Sequence, residues 1–254
     1  MKKASVIIVG AGGRGTIYSN HLKTLSDRAE VVAVAEPRDF FRERIAHTHN
    51  IPPENQFRDW HDLLKRPKFA DAVIIATQDR MHLEPAVAFA ELKYDILIEK
   101  PLAPTLEECR TLIASAETNN IIMSVCHVLR YTNFTRTLKK LIDSGRIGQV
   151  MSVQHLEPVG YWRFAHSYVR GNWSREEDSS SVLLAKSIHD LDWLRYIVGA
   201  APKQVSSFGS LMFFRKENRP EGAADRCLDC KLEPECPYSA PRFYLERIRS
   251  GNIG

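Results

Sequence analysis

The sequence predicts an α/β fold, in which a doubly wound parallel sheet is followed by a second domain of α+β character. In the first half, short apolar runs alternate with amphipathic segments of helical length, which is the pattern of right-handed βαβ units. After residue 126 this alternation ends, and the segments that follow are irregular and rich in aromatic residues. We therefore predict two domains, one over residues 1–127 and one over residues 128–254.

Five largely apolar runs have the length of strands that are buried on both faces. They cover residues 4–9, 30–35, 71–77, 95–100 and 121–126. The helices predicted between them are Arg14–Leu25, Arg38–His47, Asp59–Arg66, Arg80–Leu92 and Thr105–Asn119. The last of these helices opens with Thr105 and Glu108 in the spacing of a capping box.

The second half predicts fewer elements. Helices are expected over Asn133–Ser144 and Ser181–Tyr196, and strands over residues 149–157 and 204–214. So few strands and helices make a thin sheet with little to cover one face. The second domain is therefore expected to be an incomplete α+β sheet domain.

The composition excludes several classes of protein. Hydrophobic residues make up 44% of the chain and charged residues 26%, as in a globular protein in water. The net charge of +4 is mild, and basic residues are interleaved with acidic ones, which argues against a nucleic-acid partner. No apolar run approaches the ~20 residues of a membrane span. Five cysteines and no export signal indicate a cytoplasmic protein.

The stretch VIIVGAGGRG places Gly10, Gly12 and Gly15 in G-x-G-x-x-G spacing between a predicted strand and a predicted helix. Gly10 allows the tight turn, Gly12 lets the backbone approach a pyrophosphate, and Gly15 lets helix and strand pack closely. Gly13 and Arg14 complete the loop, where the helix N-terminus faces the phosphates. The first domain is therefore predicted to be a Rossmann-type dinucleotide-binding domain.

An acidic residue follows the second predicted strand, since Glu36 lies 21 residues after Gly15. Its carboxylate is suited to the ribose hydroxyls of NAD and would repel the 2′-phosphate of NADP. Arg38 could hold that phosphate by bidentate hydrogen bonds, or it could be a solvated residue at the start of a helix. NAD is preferred, and NADP stays open.

Three further segments carry a resemblance to a known family. They are DAVIIATQDRMH with Thr77, Gln78 and His82, IEKPLA with Glu99 and Lys100, and SIHDLDWLRYIVG with His189. Together with the glycine loop, they resemble the Gfo/Idh/MocA family of oxidoreductases. The resemblance implies that Thr77, Gln78, His82, Glu99 and Lys100 lie along the cofactor. This chain has Gln78 where the family usually has proline.

The resemblance also implies an open-faced sheet domain that binds a sugar, cyclitol or related hydroxy or oxo compound. In the family this sheet often forms the oligomer interface, so a homo-oligomer is one expectation. The family's second domain runs considerably beyond residue 254. We therefore expect the chain to be a truncated or alternative product, which puts the oligomer in question.

Lys100 is the first candidate for proton transfer. At the carboxyl end of a parallel strand it faces the crevice where ligands bind, and a desolvated lysine has a lowered pKa. The alternative is a surface lysine that follows a strand. Removing a hydride from a hydroxyl carbon requires such a group for the O–H proton.

His189 is the second candidate, because helical spacing places it on the same helix face as Lys186. From this face its imidazole can exchange a proton with the substrate. The alternative is a partly buried histidine bonded to backbone. The other members of this face are Val182, Trp193 and Tyr196, and a separate apolar face for packing comprises Leu184, Ile188, Leu191 and Val198.

Ala185 stands where typical family members carry an aspartate four residues before the histidine. Lys186 is the nearest ionisable substitute, and its charge disfavours the imidazolium and suits anionic or carbonyl substrates. Asp190 and Asp192 are expected to orient neighbours or to bond backbone, rather than to act as bases. Arg130 binds either a substrate oxygen or an interdomain carboxylate. The aromatic residues of GYWRF, at 160–164, either stack on a sugar or pack internally.

The segment CLDCKLEPEC gives Cys227, Cys230 and Cys236, most of a zinc signature without an evident fourth ligand. His166 is a remote candidate for that ligand. A redox-sensitive dithiol and plain thiols are the alternatives.

These observations predict an NAD(P)-dependent oxidoreductase in which Lys100 exchanges the proton, His189 is its partner and Lys186 assists. One alternative is a non-catalytic dinucleotide-binding sensor or scaffold, favoured by Ala185. Another is an NAD-dependent glycosidase without net redox change.

Overall fold

The computed structural model describes residues 2–250. Its first part is built on a six-stranded parallel sheet with the strand order β3-β2-β1-β4-β5-β6. The strands are β1 (Ala4–Val9), β2 (Ala29–Ala35), β3 (Gln56–Phe57), β4 (Ala72–Ile75), β5 (Asp95–Ile98) and β6 (Met123–Val125). The predicted doubly wound α/β fold is confirmed, and the two-residue β3 is an addition to the five predicted strands.

The helices are α1 (Gly13–Thr24), α2 (Asp39–His49), α3 (His61–Leu64), α4 (Leu83–Glu91), α5 (Leu106–Asn119), α6 (Asn133–Asp143), α7 (Tyr161–Phe164), α8 (Ile188–Val198) and α9 (Ala240–Arg249). The capping box of α5 is formed, because Thr105 Oγ1 accepts from Glu108 N at 3.2 Å while the Glu108 carboxylate accepts from Thr105 N at 3.1 Å. No helix within residues 2–250 has the length and apolar content needed to cross a membrane.

The core explains why the strands read as continuous apolar runs. Ile7 and Val9 of β1 enter the cluster on one face of the sheet, and Val6 and Ile8 enter the cluster on the other. All four side chains are buried. Because helices cover both faces of a parallel sheet, successive residues must all be apolar.

The described chain divides into two compact units. One holds the chain up to Gln149 together with Glu176–Val198, and the other holds Val150–Arg175 and the chain from Gly199 onward. The first unit contains the sheet and α8. The second contains α7, α9 and a set of packed aromatic rings, in which Trp162 stacks on Phe243 with a centroid separation of 5.4 Å.

The strands predicted over residues 149–157 and 204–214 are wrong, since the backbone there is irregular in the described structure. Apolar side chains in these segments are largely exposed, with Met151 at 87%, Leu156 at 83% and Phe208 at 97%. Strand-like alternation needs a neighbouring strand to satisfy its backbone groups. These segments find none within residues 2–250, so the expected second sheet is not formed there.

The predicted helix over Ser181–Tyr196 is divided. A π-helical turn spans Leu183–Ser187, and α8 begins at Ile188. The wider turn shifts the helical phase, so the predicted apolar face is wrong in part. Leu191 is 51% exposed and Val198 is 43% exposed. The buried positions of this segment are Ala185, Asp190 and Ile197.

Candidate active site

Two glycines of the first loop are required by the protein's own packing. Gly10 has a φ of 89°, and a Cβ there would lie 2.7 Å from the carbonyl oxygen of Ala76 at the end of β4. A Cβ at Gly15 would lie 1.9 Å from the carbonyl oxygen of Gly10. These close approaches hold α1 against the end of β1 and β4.

Gly12 and Gly13 have no such reason to lack a side chain. A Cβ at Gly12 would meet only Nη2 of Arg38, at 3.6 Å, and a Cβ at Gly13 would meet nothing within 4 Å. The first turn of α1 also carries no acidic residue. The loop therefore leaves an open space at a helix N-terminus, which suits the diphosphate of a dinucleotide.

Glu36 lies directly under this loop at the end of β2. Its Oε2 accepts from Ala11 N at 2.8 Å, and its Oε1 accepts from Arg38 Nε at 2.6 Å. Burial opposes ionisation, yet the hydrogen bonds from Arg38 and Ala11 hold the pKa of Glu36 below its ordinary value. The side chain of Arg38 is 58% exposed and its Nη2 lies beside Gly12. Both residues predicted for the ribose position therefore lie at the glycine loop.

The segment after β4 is held by a buried histidine. His82 has no exposed surface, and its Nδ1 lies 2.9 Å from the carbonyl oxygen of Pro101. Thr77 Oγ1 donates to the carbonyl of Met81 at 3.0 Å, whereas Gln78 is exposed. His82 therefore ties the segments after β4 and β5 together, and Gln78 is the member of this motif that faces outward.

Glu99 connects β5 to the glycine helix. Its Oε1 accepts from Arg14 Nε and from Tyr18 Oη, both at 2.6 Å, and its Oε2 accepts from Lys100 N at 3.0 Å. Burial raises the pKa of Glu99, but these hydrogen bonds and the Arg14 charge outweigh it and lower the pKa overall. Sequence reasoning missed Tyr18, although its position four residues after Arg14 on one helix face was a usable signal.

Lys100 lies two residues beyond the end of β5, and its Nζ donates to the carbonyl of Ala185 in the π-helical turn at 2.5 Å. Burial lowers the pKa of Lys100, and the cations of Arg14 and Lys186 act in the same direction. The carboxylates of Glu99 and Asp79 oppose this without cancelling it. The ammonium is therefore easier to deprotonate than an ordinary lysine.

His189 lies in the first turn of α8, within electrostatic range of Lys100 and Lys186. Burial, followed by the Lys100 charge, lowers the pKa of His189 to about 4, so its imidazole is neutral at pH 7. Within the described residues its Nδ1 is buried and has no hydrogen-bond partner. The structure thus brings Lys100, Lys186 and His189 into one cluster.

Three further residues, none of which was predicted to exchange the proton, also belong to this cluster. Asp79 is buried after β4 and accepts from Ser180 Oγ. Asp192 of α8 pairs with Arg130, whose Nε donates to Oδ2 at 2.8 Å. His127 lies just after β6, with its Nδ1 3.7 Å from the same carboxylate. Arg130 therefore binds a carboxylate of its own structural unit, which differs from the predicted interdomain carboxylate.

The cysteine prediction has no support. Within residues 2–250, no group of three or more His, Cys, Asp or Glu side chains is arranged to hold a metal ion, as zinc binding by Cys227, Cys230 and Cys236 would require. The suggested fourth ligand is engaged elsewhere, because His166 Nδ1 lies 2.5 Å from Tyr244 Oη.

The arrangement has a definite chemical capacity. A lysine of lowered pKa and a neutral imidazole lie at the carboxyl edge of the same parallel sheet as an open glycine loop. Ligands of such sheets bind at this edge. The pair can accept the proton of a hydroxyl group or return it to a carbonyl oxygen.

Comparisons with known proteins agree with this geometry. The Gfo/Idh/MocA model described as an oxidoreductase family with an NAD-binding Rossmann fold matches residues 4–127. The model of the family's C-terminal alpha/beta domain matches residues 139–238. The second match covers the segments in which the structure shows no strands.

Two curated relatives illustrate the range of named activities. A 2,7-anhydro-N-acetylneuraminate hydratase from Mediterraneibacter gnavus is 28% identical over 82% of this chain and 53% of its own length. A myo-inositol 2-dehydrogenase from Thermotoga maritima is 27% identical over 81% of this chain and 58% of its own length. The chain thus spans little more than half the length of these relatives.

Solved structures share the fold. Myo-inositol 2-dehydrogenase from Lactobacillus plantarum matches with a TM-score of 0.69 at 22% identity, covering 78% of this chain and 57% of that one. A levoglucosan dehydrogenase in complex with NADH and levoglucosan matches with a TM-score of 0.62 at 26% identity, covering 78% and 55%. With both domain models matched, the chain belongs to the Gfo/Idh/MocA family of oxidoreductases.

Proposed function

We propose that this protein is an NAD(H)-dependent oxidoreductase that interconverts a hydroxyl and a carbonyl group on a sugar or cyclitol. The observation that carries the proposal is the position of Lys100. Its ammonium has a lowered pKa and lies at the carboxyl end of β5, in the same sheet edge as the open glycine loop. The names of the relatives, which include inositol and levoglucosan dehydrogenases, support this substrate class.

The cofactor would be held by the loop at Gly12 and Gly13, with Glu36 and Arg38 at the ribose. When bound, a nicotinamide supplies the acceptor or donor for hydride. Glu36 favours NAD because its ionised carboxylate repels a 2′-phosphate, although Arg38 neutralises part of that charge. NAD is therefore the preferred cofactor, and NADP is the competitor to test.

The protein's own part in the reaction is to handle the proton. In oxidation, neutral Lys100 accepts the hydroxyl proton while the carbon loses hydride, and in reduction the ammonium returns it. His189 is uncharged at pH 7 and can hydrogen-bond the same oxygen through a ring nitrogen. Lys186 assists, since its positive charge lowers the pKa of both groups.

Replacing Lys100 by Met tests this role. We expect kcat/KM to fall by about 10²–10⁴, the usual contribution of general acid–base catalysis, while the Kd for NADH changes little. Turnover would be followed by nicotinamide absorbance across a panel of polyols, inositols and sugars. Lys65→Met is the matched control, since Lys65 is an exposed lysine paired with Asp62.

The outcomes separate the alternatives. Saturable NADH binding without turnover of any panel compound would favour a non-catalytic sensor or scaffold. Cleavage of a glycoside without net nicotinamide change would favour an NAD-dependent glycosidase. No saturation with NADH or NADPH would reject the dinucleotide site itself. Full activity in Lys100→Met would reject the assigned role of this lysine.

A further inference from the structure

We infer that His127, assisted by Asp192, extends the Lys100–His189 pair into a proton relay that opens at the edge of the sheet beside β6. This inference rests on the proposed function, because the relay carries the proton that the reaction releases. His127 acts through its neighbours and is a relay residue, distinct from the groups that meet the substrate.

Strand register places His127 beside Lys100. Ile98 of β5 is the partner of Val125 of β6, and Cys126 N donates to the Ile98 carbonyl at 2.9 Å. Lys100 and His127 each lie two residues beyond that pair. Because neighbouring strands are about 4.8 Å apart, both residues emerge side by side at the carboxyl edge of the sheet.

Helix α8 brings His189 to the same place. His189 and Asp192 are three residues apart and therefore share a helix face. Asp192 Oδ2 lies 3.7 Å from His127 Nδ1, while Arg130 Nε holds the same oxygen at 2.8 Å. The face of α8 that carries His189 thus lies over His127, and Asp192 is placed to stabilise an imidazolium at His127 while a proton passes.

The two imidazoles share an unusual feature. Within the described residues, the Nδ1 atoms of His127 and His189 are both buried and lack a hydrogen-bond partner. Buried polar groups are normally paired, so unpaired ones require an explanation. Ring nitrogens that must alternately accept and release a proton, directly or through a transient water, provide one.

The electrostatic environment keeps His127 available as an acceptor. Burial lowers the pKa of His127, and the cations of Arg130 and Lys100 act in the same direction. The carboxylates of Asp192 and Glu99 raise this pKa but do not outweigh the other effects. His189 faces it from α8 and is also neutral at pH 7. A proton arriving at either ring is therefore passed on rather than retained.

The relay has an outlet. A cavity of about 240 Å³ is lined by Ser124, Val125, His127, Arg130 and Tyr131. This volume holds several waters, since each occupies about 30 Å³ in the liquid. His127 therefore borders both the lysine side of the sheet edge and a groove in which water can accept the proton.

In oxidation the C–H bond breaks with its electron pair, for which a bound nicotinamide would supply the hydride acceptor, and the O–H proton moves to Lys100. The resulting ammonium gives that proton to His189, which passes it to His127, and His127 releases it to water in the groove. Reduction runs the same path in reverse, so each turnover moves one proton.

The first test needs no substrate. The titration of the His127 ring, followed by NMR on protein labelled at histidine Cε1, should respond to its neighbours. Lys100→Met should raise its pKa by at least about 0.5, and Asp192→Asn should lower it, because one removes a cation and the other an anion. Lys65→Met should change nothing. If the pKa of His127 changed in neither Lys100→Met nor Asp192→Asn, the relay would be overturned.

The second test uses whichever panel compound turns over. His127→Gln keeps polar bulk but cannot titrate, and we expect kcat to fall at least tenfold with KM within threefold. Exogenous imidazole should restore the rate, a response that a merely structural defect would not show. His47→Gln, which changes an exposed histidine of α2 in the same way, should match the unmodified protein.

Unchanged kcat in His127→Gln, or a loss that imidazole cannot restore, would overturn the inference. If the unmodified protein turns over nothing, the proposed function fails, and the NMR titration alone then decides whether His127 is coupled to Lys100. The two failures are thereby distinguishable.

Discussion

Gly15→Ala should destabilise the fold, whereas Gly12→Ala should weaken cofactor binding, because only Gly15 is required by internal packing. A Cβ at Gly15 would lie 1.9 Å from the Gly10 carbonyl oxygen, whereas a Cβ at Gly12 meets a single flexible guanidinium nitrogen at 3.6 Å. Gly15→Ala therefore tests the packing of the fold, and Gly12→Ala tests cofactor binding.

The clash at Gly15 predicts a large loss of stability in Gly15→Ala. Ordinary contact begins at 3.4 Å, so the helix and the loop must separate by about 1.5 Å to accept the methyl group. Overpacking of this severity costs about 3 kcal/mol, more than the helix propensity that alanine gains. For a protein of this size, Tm should fall by roughly 6–12 °C.

Gly12→Ala should leave the cofactor-free protein as stable as before, or more stable by up to about 1 kcal/mol. The backbone at Gly12 has φ −64° and ψ −163°, which alanine adopts without strain, and alanine reduces the freedom of the unfolded chain. The new methyl group nevertheless occupies the open space above the loop. We therefore expect the Kd for NADH to rise at least tenfold, or about 1.4 kcal/mol.

The assay pairs denaturation of the cofactor-free proteins with NADH fluorescence titration. NADH at 100 times its Kd should stabilise the unmodified protein by about 2.7 kcal/mol and Gly12→Ala far less. The reasoning would be refuted if Gly12→Ala bound NADH normally. It would equally be refuted if the cofactor-free Gly12→Ala protein unfolded as easily as Gly15→Ala.

Two further predictions concern single charges. Arg38→Ala should weaken NADPH binding about 10–100-fold, because it removes a charge-assisted contact and leaves the Glu36 carboxylate uncompensated, while NADH binding changes little. Calorimetric titration checks this, with Arg58→Ala as control, and equal losses for both cofactors would contradict it. The pKa of His189 is about 4 when folded and 6.5 when unfolded, so between these values the unfolded chain binds more protons and stability is lost as pH falls. His189→Gln should reduce that loss in urea denaturation at a series of pH values, and an identical pH dependence would show that His189 does not cause it.

Much of the first unit was predictable because its signals are local. The glycine spacing, the apolar runs and the Thr105 capping box each depend on residues close in sequence, and each was found in the structure. Parallel strands further dictate that residues after β4 and β5 meet at one edge. The sequence therefore predicts Lys100 at the sheet edge that also carries the glycine loop.

The second half was predicted less well because its patterns need partners. Residues 149–157 and 204–214 carry strand-like alternation, but a strand exists only when another backbone completes its hydrogen bonds. The π-helical turn at Leu183–Ser187, whose Ala185 carbonyl accepts from Lys100 Nζ, is likewise not indicated by any residue type in that segment.

The amino-acid order thus determined the sheet, the glycine loop and the place of Lys100 at the carboxyl edge of that sheet, since spacing along one chain suffices for each. Only the tertiary structure decided that His127, Asp192 and His189 meet beside that lysine. Those residues lie on elements far apart in sequence, and their contacts arise from strand register and helix docking, which periodicity cannot specify.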